Sequence, residues 1–156
     1  MKKAFYIYLL VFFTVNFGGL FLGGIFAGEA ASSMWYQSAN KAPWTPPGWV
    51  FGVAWTSIMI CFTFYMSILT NRLQNKKSVL GLFIFQWLLN FGWNPVFFHF
   101  HQAILGLVII ILLTILVGYL GIKYRKTLNY NSIFLLPYFL WLIIASSLNA
   151  YMVIFN

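Results

Sequence analysis

Five stretches of this chain carry no charged side chain, and each is long enough to form a helix that crosses a lipid bilayer. They cover about residues 5–27, 47–70, 79–98, 103–122 and 131–155. A helix needs about 20 residues, at about 1.5 Å rise per residue, to span the hydrocarbon core. The stretches lack the alternation of polar and apolar residues that the strands of an outer-membrane barrel require. With 62% hydrophobic and 6% charged residues, the chain is predicted to be an all-α integral membrane protein, a single domain (1–156) built as a bundle of five transmembrane helices.

The first stretch follows two lysines and ends in small residues, a pattern that a cleaved signal peptide also shows. The apolar region of a signal peptide is only about 7–15 residues long, so a transmembrane helix is favoured here. This stretch carries Gly19 and Gly23, then Gly24 and Gly28, at a spacing that lets another helix approach closely. The pattern leaves open whether that helix belongs to the same chain or to a second copy.

The basic residues gather between the stretches and predict how the bundle is oriented. If five spans alternate across the membrane, one side holds Lys2, Lys3, Arg72, Lys76, Lys77, Lys123, Arg125 and Lys126, and the other holds only Lys41. Cytoplasmic connections carry the excess of basic residues, so we expect a cytoplasmic N-terminus and a C-terminus outside the cytoplasm. These short clusters beside the membrane account for the formal charge of +8, and nucleic acid is not expected as a partner.

One connection, residues 28–46, is much longer than the others. Most connections in helix bundles have about 2–8 residues, and long ones are often functional. This segment is rich in proline and in interfacial aromatic residues, so we predict a lid over one end of the bundle, with a plain aromatic belt as the alternative. The candidate lid residues are Trp35, Tyr36, Trp44, Pro46 and Pro47. Glu29, the one acidic residue, is expected to make an interfacial contact, with Lys41 as a candidate partner.

Several classes of chemistry lack the residues they need. The five stretches contain no Asp, Glu, Lys or Arg, which disfavours ion pumps and proton-coupled transporters. One acidic residue cannot supply the carboxylate pair of a glycosidase or support a zinc hydrolase. His99 and His101 are two residues apart, point to different sides of a helix and are expected at the interface rather than on a metal. No metal and no required cofactor is predicted, and the single Cys61 excludes an intrachain disulfide.

Amide side chains mark one face of the third stretch. Gln86, Asn90 and Asn94 recur at i, i+4 and i+8, which places them on one side of a helix. Lipid does not tolerate such a face, so it must point into the bundle. The alternative to a ligand site is that these amides only bond neighbouring helices.

Aromatic residues at helical spacing occur beside these amides and on two further stretches. They are Phe51 and Trp55 on the second stretch, Trp93 on the third, and Tyr138 and Trp141 on the fifth, where Ala145 and Leu148 continue the same face. A pocket with flat aromatic walls and a few amides suits a planar, largely apolar ligand. The alternative is that these rings simply fill the core of the bundle.

Three sets of residues resemble the signature motifs of the TspO family, also known as translocator proteins, tryptophan-rich sensory proteins or peripheral-type benzodiazepine receptors. The first set contains Trp35, Tyr36, Lys41, Trp44, Thr45, Pro46, Pro47, Phe51 and Trp55. The second contains Gln86, Asn90, Trp93, Pro95, Phe97 and Phe98, and the third contains Pro137, Tyr138, Trp141, Ala145, Leu148 and Asn149. The three motifs occur in the family's order over nearly the whole chain, which is identified as a bacterial-type member. Ala42 stands where the family usually has a proline.

The resemblance implies a five-helix homodimer in a bacterial cell membrane, surrounded by lipid. It also implies a pocket under the first loop that binds porphyrins, such as protoporphyrin IX, and isoquinoline- or benzodiazepine-type drugs. Trp55, Asn90, Trp93, Trp141 and Ala145 match family positions that line this pocket. Our further candidates for the pocket are Phe51, Asn94, Phe98, Tyr138 and Leu148.

Three functions follow from these expectations. The favoured one is a membrane receptor or sensor that binds porphyrin-type tetrapyrroles, either protoporphyrin IX or haem-like molecules. The second is an enzyme for light-dependent oxidative degradation of protoporphyrin, in which Trp55 and Trp141 would have the photochemical role; no acid, base or nucleophile is assigned. The third is a transporter of tetrapyrroles or sterol-like molecules, which the missing ionisable groups disfavour.

Overall fold

The described part of the molecule is built of helices joined by short non-helical connections. The computed structural model describes the backbone of residues 2–31 and 33–156, and the side chains in these ranges except those at 2 and 29–31. The α-helices are α1 Lys2–Ala31, α2 Met34–Ser38, α3 Gly48–Arg72, α4 Lys77–Asn94, α5 Ala103–Leu128 and α6 Leu136–Phe155. A π-helical turn, Pro95–His99, continues α4, and a 3₁₀ helix, Asn129–Leu135, joins α5 to α6. No strand occurs in these ranges, so the all-α prediction is confirmed.

Four helical stretches in the described ranges are long and apolar enough to cross a membrane. They are Lys3–Gly28, Gly48–Arg72, Lys77–His99 and Ala103–Phe155. The last stretch has 53 residues, about twice the length of each of the others, because it includes both α5 and α6. These stretches support the prediction of an integral membrane protein.

Helices α5 and α6 fold back on each other as an antiparallel pair. Near the start of α5, the backbone oxygen of Ala103 accepts a hydrogen bond from Nδ2 of Asn149, late in α6, at 3.0 Å. Near the end of α5, Gly121 lies against Leu135, just before α6, so closely that a Cβ on the glycine would be 3.3 Å from Cδ2 of the leucine. The chain therefore reverses its direction between the two helices.

The other contacts show that the five long helices alternate in direction. Helices α1, α4 and α6 run the same way, as shown by the pairs Phe12 with Phe83, Gly23 with Asn94, Gln86 with Tyr138, and Trp93 with Asn149. Helix α3 runs antiparallel to α6, as shown by the ring pairs Phe51 with Trp141 and Trp55 with Tyr138. It runs parallel to α5, as shown by Tyr65 with Leu120 and Arg72 with Thr127.

The basic connections consequently meet at one end of the bundle. Nζ of Lys76 lies 5.3 Å from the centroid of the Tyr8 ring, near the start of α1. Nζ of Lys123 donates a hydrogen bond to Oγ of Ser78 at 3.2 Å. The long connection and Asn156 lie at the opposite end, which we call the loop end.

In the last third of the chain, two helix ends differ from the ends of the uncharged stretches. The fourth stretch was expected to end at residue 122, but α5 continues to Leu128 and carries Arg125 and Lys126 in its last turn. Lysine and arginine are good helix formers, and their charges are favourable at a helix C-terminus. The fifth stretch was expected to begin at residue 131, whereas α6 begins at Leu136. The residues between them form the 3₁₀ turn in which the chain reverses.

The close-packed core lies in the half of the bundle nearer the basic end. On α3, none of the residues 48–57 is buried, whereas most residues from Ile58 to Thr70 are. Phe62, Tyr65 and Leu69 are among the core side chains with no exposed surface. The loop-end half is therefore less tightly filled, and the cavity lies there.

Candidate ligand-binding cavity

A cavity of about 540 Å³ lies inside the loop-end half of the bundle. Its walls come from α1, α3, α4 and α6, with Ile110 of α5 at one side, and the long loop contributes Tyr36, Lys41, Thr45 and Pro46. A second cavity of about 50 Å³ adjoins the first. Several residues, among them Tyr36 and Lys41, line both cavities. The loop thus forms part of the cavity wall.

Small residues make up most of the wall on α1. Gly19 and Gly23 lie where α4 comes closest, since a Cβ there would be 2.7 Å from Nε1 of Trp87 and 2.8 Å from Nδ2 of Asn94, respectively. A Cβ on Gly24, in contrast, would meet no described heavy atom within 4 Å beyond the backbone of its own helix. The first two glycines therefore pack within this chain, and the third leaves open space beside the cavity.

Aromatic rings form much of the wall on α3, α4 and α6. Phe51 of α3 and Trp141 of α6 pack edge to face, with 5.4 Å between ring centroids and an interplanar angle of 84°. Trp93 of α4 stacks on Phe97 at 4.9 Å and 12°, and meets Phe98 edge-on at 5.5 Å. These contacts hold the rings in fixed orientations around the cavity.

The position of Trp93 depends on a hydrogen-bonded link to α6 and α5. Its Nε1 donates to Oδ1 of Asn149 at 3.2 Å, and Nδ2 of Asn149 donates to the backbone oxygen of Ala103 at 3.0 Å. Asn149 is buried, and a buried amide with both ends paired orients the groups that it bonds.

At the cavity, several side-chain polar groups have only a weak hydrogen-bond partner, or none, among the described residues. The side-chain amide of Asn90 lines the cavity and makes no hydrogen bond within the described residues. Nδ2 of Asn94 reaches only its own helix, at 3.5 Å from the backbone oxygen of Asn90. Nε1 of Trp141 is buried and lacks a partner in the described part of the chain. Asn90 and Asn94 are therefore available to hydrogen-bond a ligand.

The loop is tied to the bundle by its aromatic residues. Trp35 stacks on His101 at 4.5 Å and meets Phe97 edge-on at 5.5 Å. Nε1 of Trp44 donates a hydrogen bond to Oγ of Ser147 at 3.1 Å. The loop residues Tyr36 and Pro46 line the cavity, while Pro47 immediately precedes α3.

Tyr36 and Lys41 bring polar atoms to the loop end of the cavity. Nζ of Lys41 lies 4.6 Å from the centroid of the Tyr36 ring. Burial raises the pKa of Tyr36 above its ordinary value, so its hydroxyl remains a hydrogen-bond donor near neutral pH. The suggested contact of Lys41 with Glu29 lies outside the described side chains.

Eight of the ten side chains proposed from the sequence line this cavity. They are Phe51, Trp55, Asn90, Trp93, Asn94, Phe98, Trp141 and Ala145. Leu148 lines the smaller cavity instead. Tyr138 lines neither: it is buried behind Trp55, with 6.0 Å between their ring centroids, and its hydroxyl accepts a hydrogen bond from Nε2 of Gln86 at 2.7 Å. It supports the wall from behind.

Some lining residues were not anticipated from the sequence. Gly24 and Gly28 were noticed only for their spacing, which is typical of helix packing; Lys41 was noted as part of the first motif and as a partner for Glu29, but not as a residue of the pocket. Gly52 shares a helix face with Trp55 and Phe51, a signal that would have placed it at the cavity. Neither histidine joins a metal-ligand cluster in the described ranges.

The sequence matches the TspO/MBR family over residues 10–155, nearly the whole chain. The chain belongs to the TspO/MBR family. This confirms the resemblance carried by the three motifs, and with the apolar helices it shows that this TspO/MBR-family chain is an integral membrane protein.

Relatives of this TspO/MBR-family chain come from archaea, bacteria and animals. It is 37% identical over 130 residues to the tryptophan-rich protein TspO of Archaeoglobus fulgidus, a match that covers 83% of this chain and 84% of the relative. It is 28% identical over 143 residues to protein CrtK of Rhodobacter capsulatus, a match that covers 90% of this chain and 89% of the relative. It is 30% identical over 119 residues to the translocator protein of Ovis aries, a match that covers 74% of this chain and 70% of the relative.

Proposed function

We propose that this protein is a membrane receptor that binds a porphyrin-type tetrapyrrole, such as protoporphyrin IX, in the loop-end cavity. The observation that carries the proposal is the cavity itself: about 540 Å³, walled by Phe51, Trp55, Trp93 and Trp141. Ligand sites in proteins typically measure about 300–1,000 Å³ and are mostly apolar with a few polar groups.

The chemistry of the walls matches a flat, conjugated ring. Indole and phenyl rings favour offset or edge contacts with another aromatic surface. The amides of Asn90 and Asn94 supply both donors and acceptors for the polar atoms of such a ligand. The same walls suit isoquinoline- and benzodiazepine-type drugs, which are also planar and apolar.

A second candidate function is the light-dependent oxidative breakdown of the bound porphyrin. It is favoured by one observation: Trp55 and Trp141, the two residues proposed for photochemistry, both line this cavity. An excited porphyrin against an indole can transfer an electron or react with dioxygen, which would be the oxidant, without a conventional acid or base.

The expected membrane topology is also part of this proposal. The antiparallel pairing of α5 with α6 supports five crossings, because the stretch Ala103–Phe155 contains two helices. The basic end would face the cytoplasm of a bacterial cell, and the loop end would face outwards. A reporter fused after Asn156 is expected to read outside the cytoplasm, and a cytoplasmic signal would contradict this topology. The expected homodimer stays a prediction.

Titration of the purified protein with protoporphyrin IX tests the function. In non-ionic detergent and in the dark, we expect saturable tryptophan quenching and a shift of the main porphyrin absorption band. Asn90→Ala, which removes an amide from the cavity, is expected to weaken binding by about tenfold. The matched control is Gln74→Ala, an exposed amide at the basic end. Quenching that does not saturate would contradict the proposal.

The same samples separate the receptor from the enzyme. Under illumination, an enzyme would bleach the porphyrin band faster than free porphyrin is bleached, and Trp141→Phe would slow this loss. Trp49→Phe is the control, since Trp49 is 71% exposed and does not line the cavity. Saturable binding with no accelerated loss in light would support the receptor and contradict the enzyme.

A further inference from the structure

Lys41 is held in place by contacts on both sides of it in the loop. Before it, the backbone N–H of Asn40 donates to Oδ1 of Asn156 at 2.8 Å, and Nδ2 of Asn40 donates to the backbone oxygen of Phe155 at 3.0 Å. After it, Nε1 of Trp44 donates to Oγ of Ser147 at 3.1 Å. The end of α6 therefore anchors the loop on either side of this lysine.

The backbone between these anchors is also fixed. Ala42 is only 4% exposed, and its backbone oxygen accepts a hydrogen bond from the N–H of Thr45 at 2.9 Å. A loop held in this way presents its lysine to the cavity without a further loss of backbone entropy when a ligand binds.

The side chain of Lys41 brings a positive charge to a mostly apolar cavity. Lys41 lines both cavities and is the one formally charged residue among their described lining residues. Its Nζ lies 4.6 Å from the centroid of the Tyr36 ring, so the aromatic face steadies the ammonium group while leaving it able to donate hydrogen bonds. The hydroxyl-bearing residues Tyr36 and Thr45 line the same two cavities.

We infer that Lys41, with the hydroxyls of Tyr36 and Thr45, forms a carboxylate-binding subsite at the loop end of the cavity. The cavity would then select planar apolar ligands that carry a carboxylate on their edge over neutral ligands of the same shape. Opposite charges attract more strongly where apolar walls exclude water, and a lysine on a flexible stem can follow a carboxylate at the rim of a ring. This inference rests on the proposed function and specifies the class of ligand.

A comparison of protoporphyrin IX with its dimethyl ester tests the subsite. The two ligands share the same ring, but the ester is neutral. In non-ionic detergent, the wild-type protein is expected to bind the acid about tenfold more tightly than the ester. Lys41→Met keeps the length and apolar body of the side chain, and is expected to remove this preference by weakening only the acid.

Two further variants control for charge and for position. Lys41→Arg keeps the cation and is expected to retain a preference for the acid. Lys77→Met removes an exposed cation at the basic end and is expected to leave both affinities as in the wild type. The melting temperature of each variant in detergent shows whether it remains folded.

The possible results distinguish failure of the subsite from failure of the proposed function. The subsite is overturned if the wild type binds acid and ester equally, if Lys41→Met keeps the preference, or if that variant weakens both ligands alike. The first two results leave a porphyrin receptor in place. If the wild type binds neither ligand, the proposed function and the subsite both fail.

Discussion

The indole N–H of Trp93 donates a hydrogen bond to Oδ1 of Asn149 at 3.2 Å, which joins the amide-bearing face of α4 to the end of α6. The same asparagine bonds the first turn of α5 through the backbone oxygen of Ala103. One buried side chain thus fixes an aromatic wall of the cavity and connects three helices. Its removal should therefore affect both folding and binding.

Asn149→Ala is expected to lower the stability of the protein by about 1–3 kcal/mol, because it leaves the Trp93 N–H without its acceptor and removes one donor from the Ala103 carbonyl. The measurement is the melting temperature in detergent, together with protoporphyrin affinity, which should fall as Trp93 becomes mobile. Gln74→Ala removes an exposed amide and should stay within about 0.5 kcal/mol of the wild type. An Asn149→Ala protein as stable as that control would contradict the conclusion that Asn149 connects α4, α5 and α6.

Gly19 and Gly18 are neighbouring glycines of α1 that provide a test variant and its control. A Cβ at Gly19 would lie 2.7 Å from Nε1 of Trp87, which donates to the backbone oxygen of Val15 at 3.1 Å, whereas Gly18 has open space around its Cβ position. Gly19→Ala is expected to cost about 1–3 kcal/mol through this clash. Gly18→Ala should be neutral or stabilise by up to about 1 kcal/mol, because alanine favours helix. Equal melting temperatures for the two variants would show that α1 does not approach α4 as described.

Tyr138 is predicted to support the cavity wall without touching the ligand. Tyr138→Phe leaves buried Gln86 without its partner and is expected to cost about 1–3 kcal/mol of stability, with little effect on porphyrin affinity. Adding Gln86→Leu to this variant should recover much of the loss, since apolar groups then replace both partners. The measurements are the melting temperatures of the two single variants and the double variant. A large loss of affinity in Tyr138→Phe at unchanged stability would place this residue in the binding site instead.

The helix faces that point into the bundle can be predicted from the sequence, because polar side chains are unfavourable in contact with lipid. Asn90 and Asn94 could be assigned to the interior on this ground alone, and both line the cavity. Gln86 shares their face but lies one turn deeper, where the core closes around it. Spacing gives the direction of a side chain, but it does not give the depth at which the bundle stops being close-packed.

Other features depend on tertiary packing that no local pattern records. The spacing of Gly19 with Gly23 and of Gly24 with Gly28 predicts close helix contact, yet only the first pair meets neighbouring side chains among the described residues. Lys41 lies at the cavity because contacts between the loop and the end of α6, more than 100 residues away in the chain, hold it there. The end of α5 at Leu128 is also missed, because a drop in hydropathy marks the edge of the membrane rather than the end of a helix.

The most direct test of the central claim, that the ligand lies in the loop-end cavity, is to fill that cavity with a side chain. Ala145 lines both cavities, so Ala145→Phe places a ring where the ligand would lie. Ile144→Phe is the matched control on the same helix, since Ile144 is 41% exposed and lines neither cavity. We predict that Ala145→Phe binds protoporphyrin IX at least about tenfold more weakly than the wild type, while Ile144→Phe binds it normally and both melt near the wild-type temperature. Wild-type affinity in a folded Ala145→Phe protein would contradict the account.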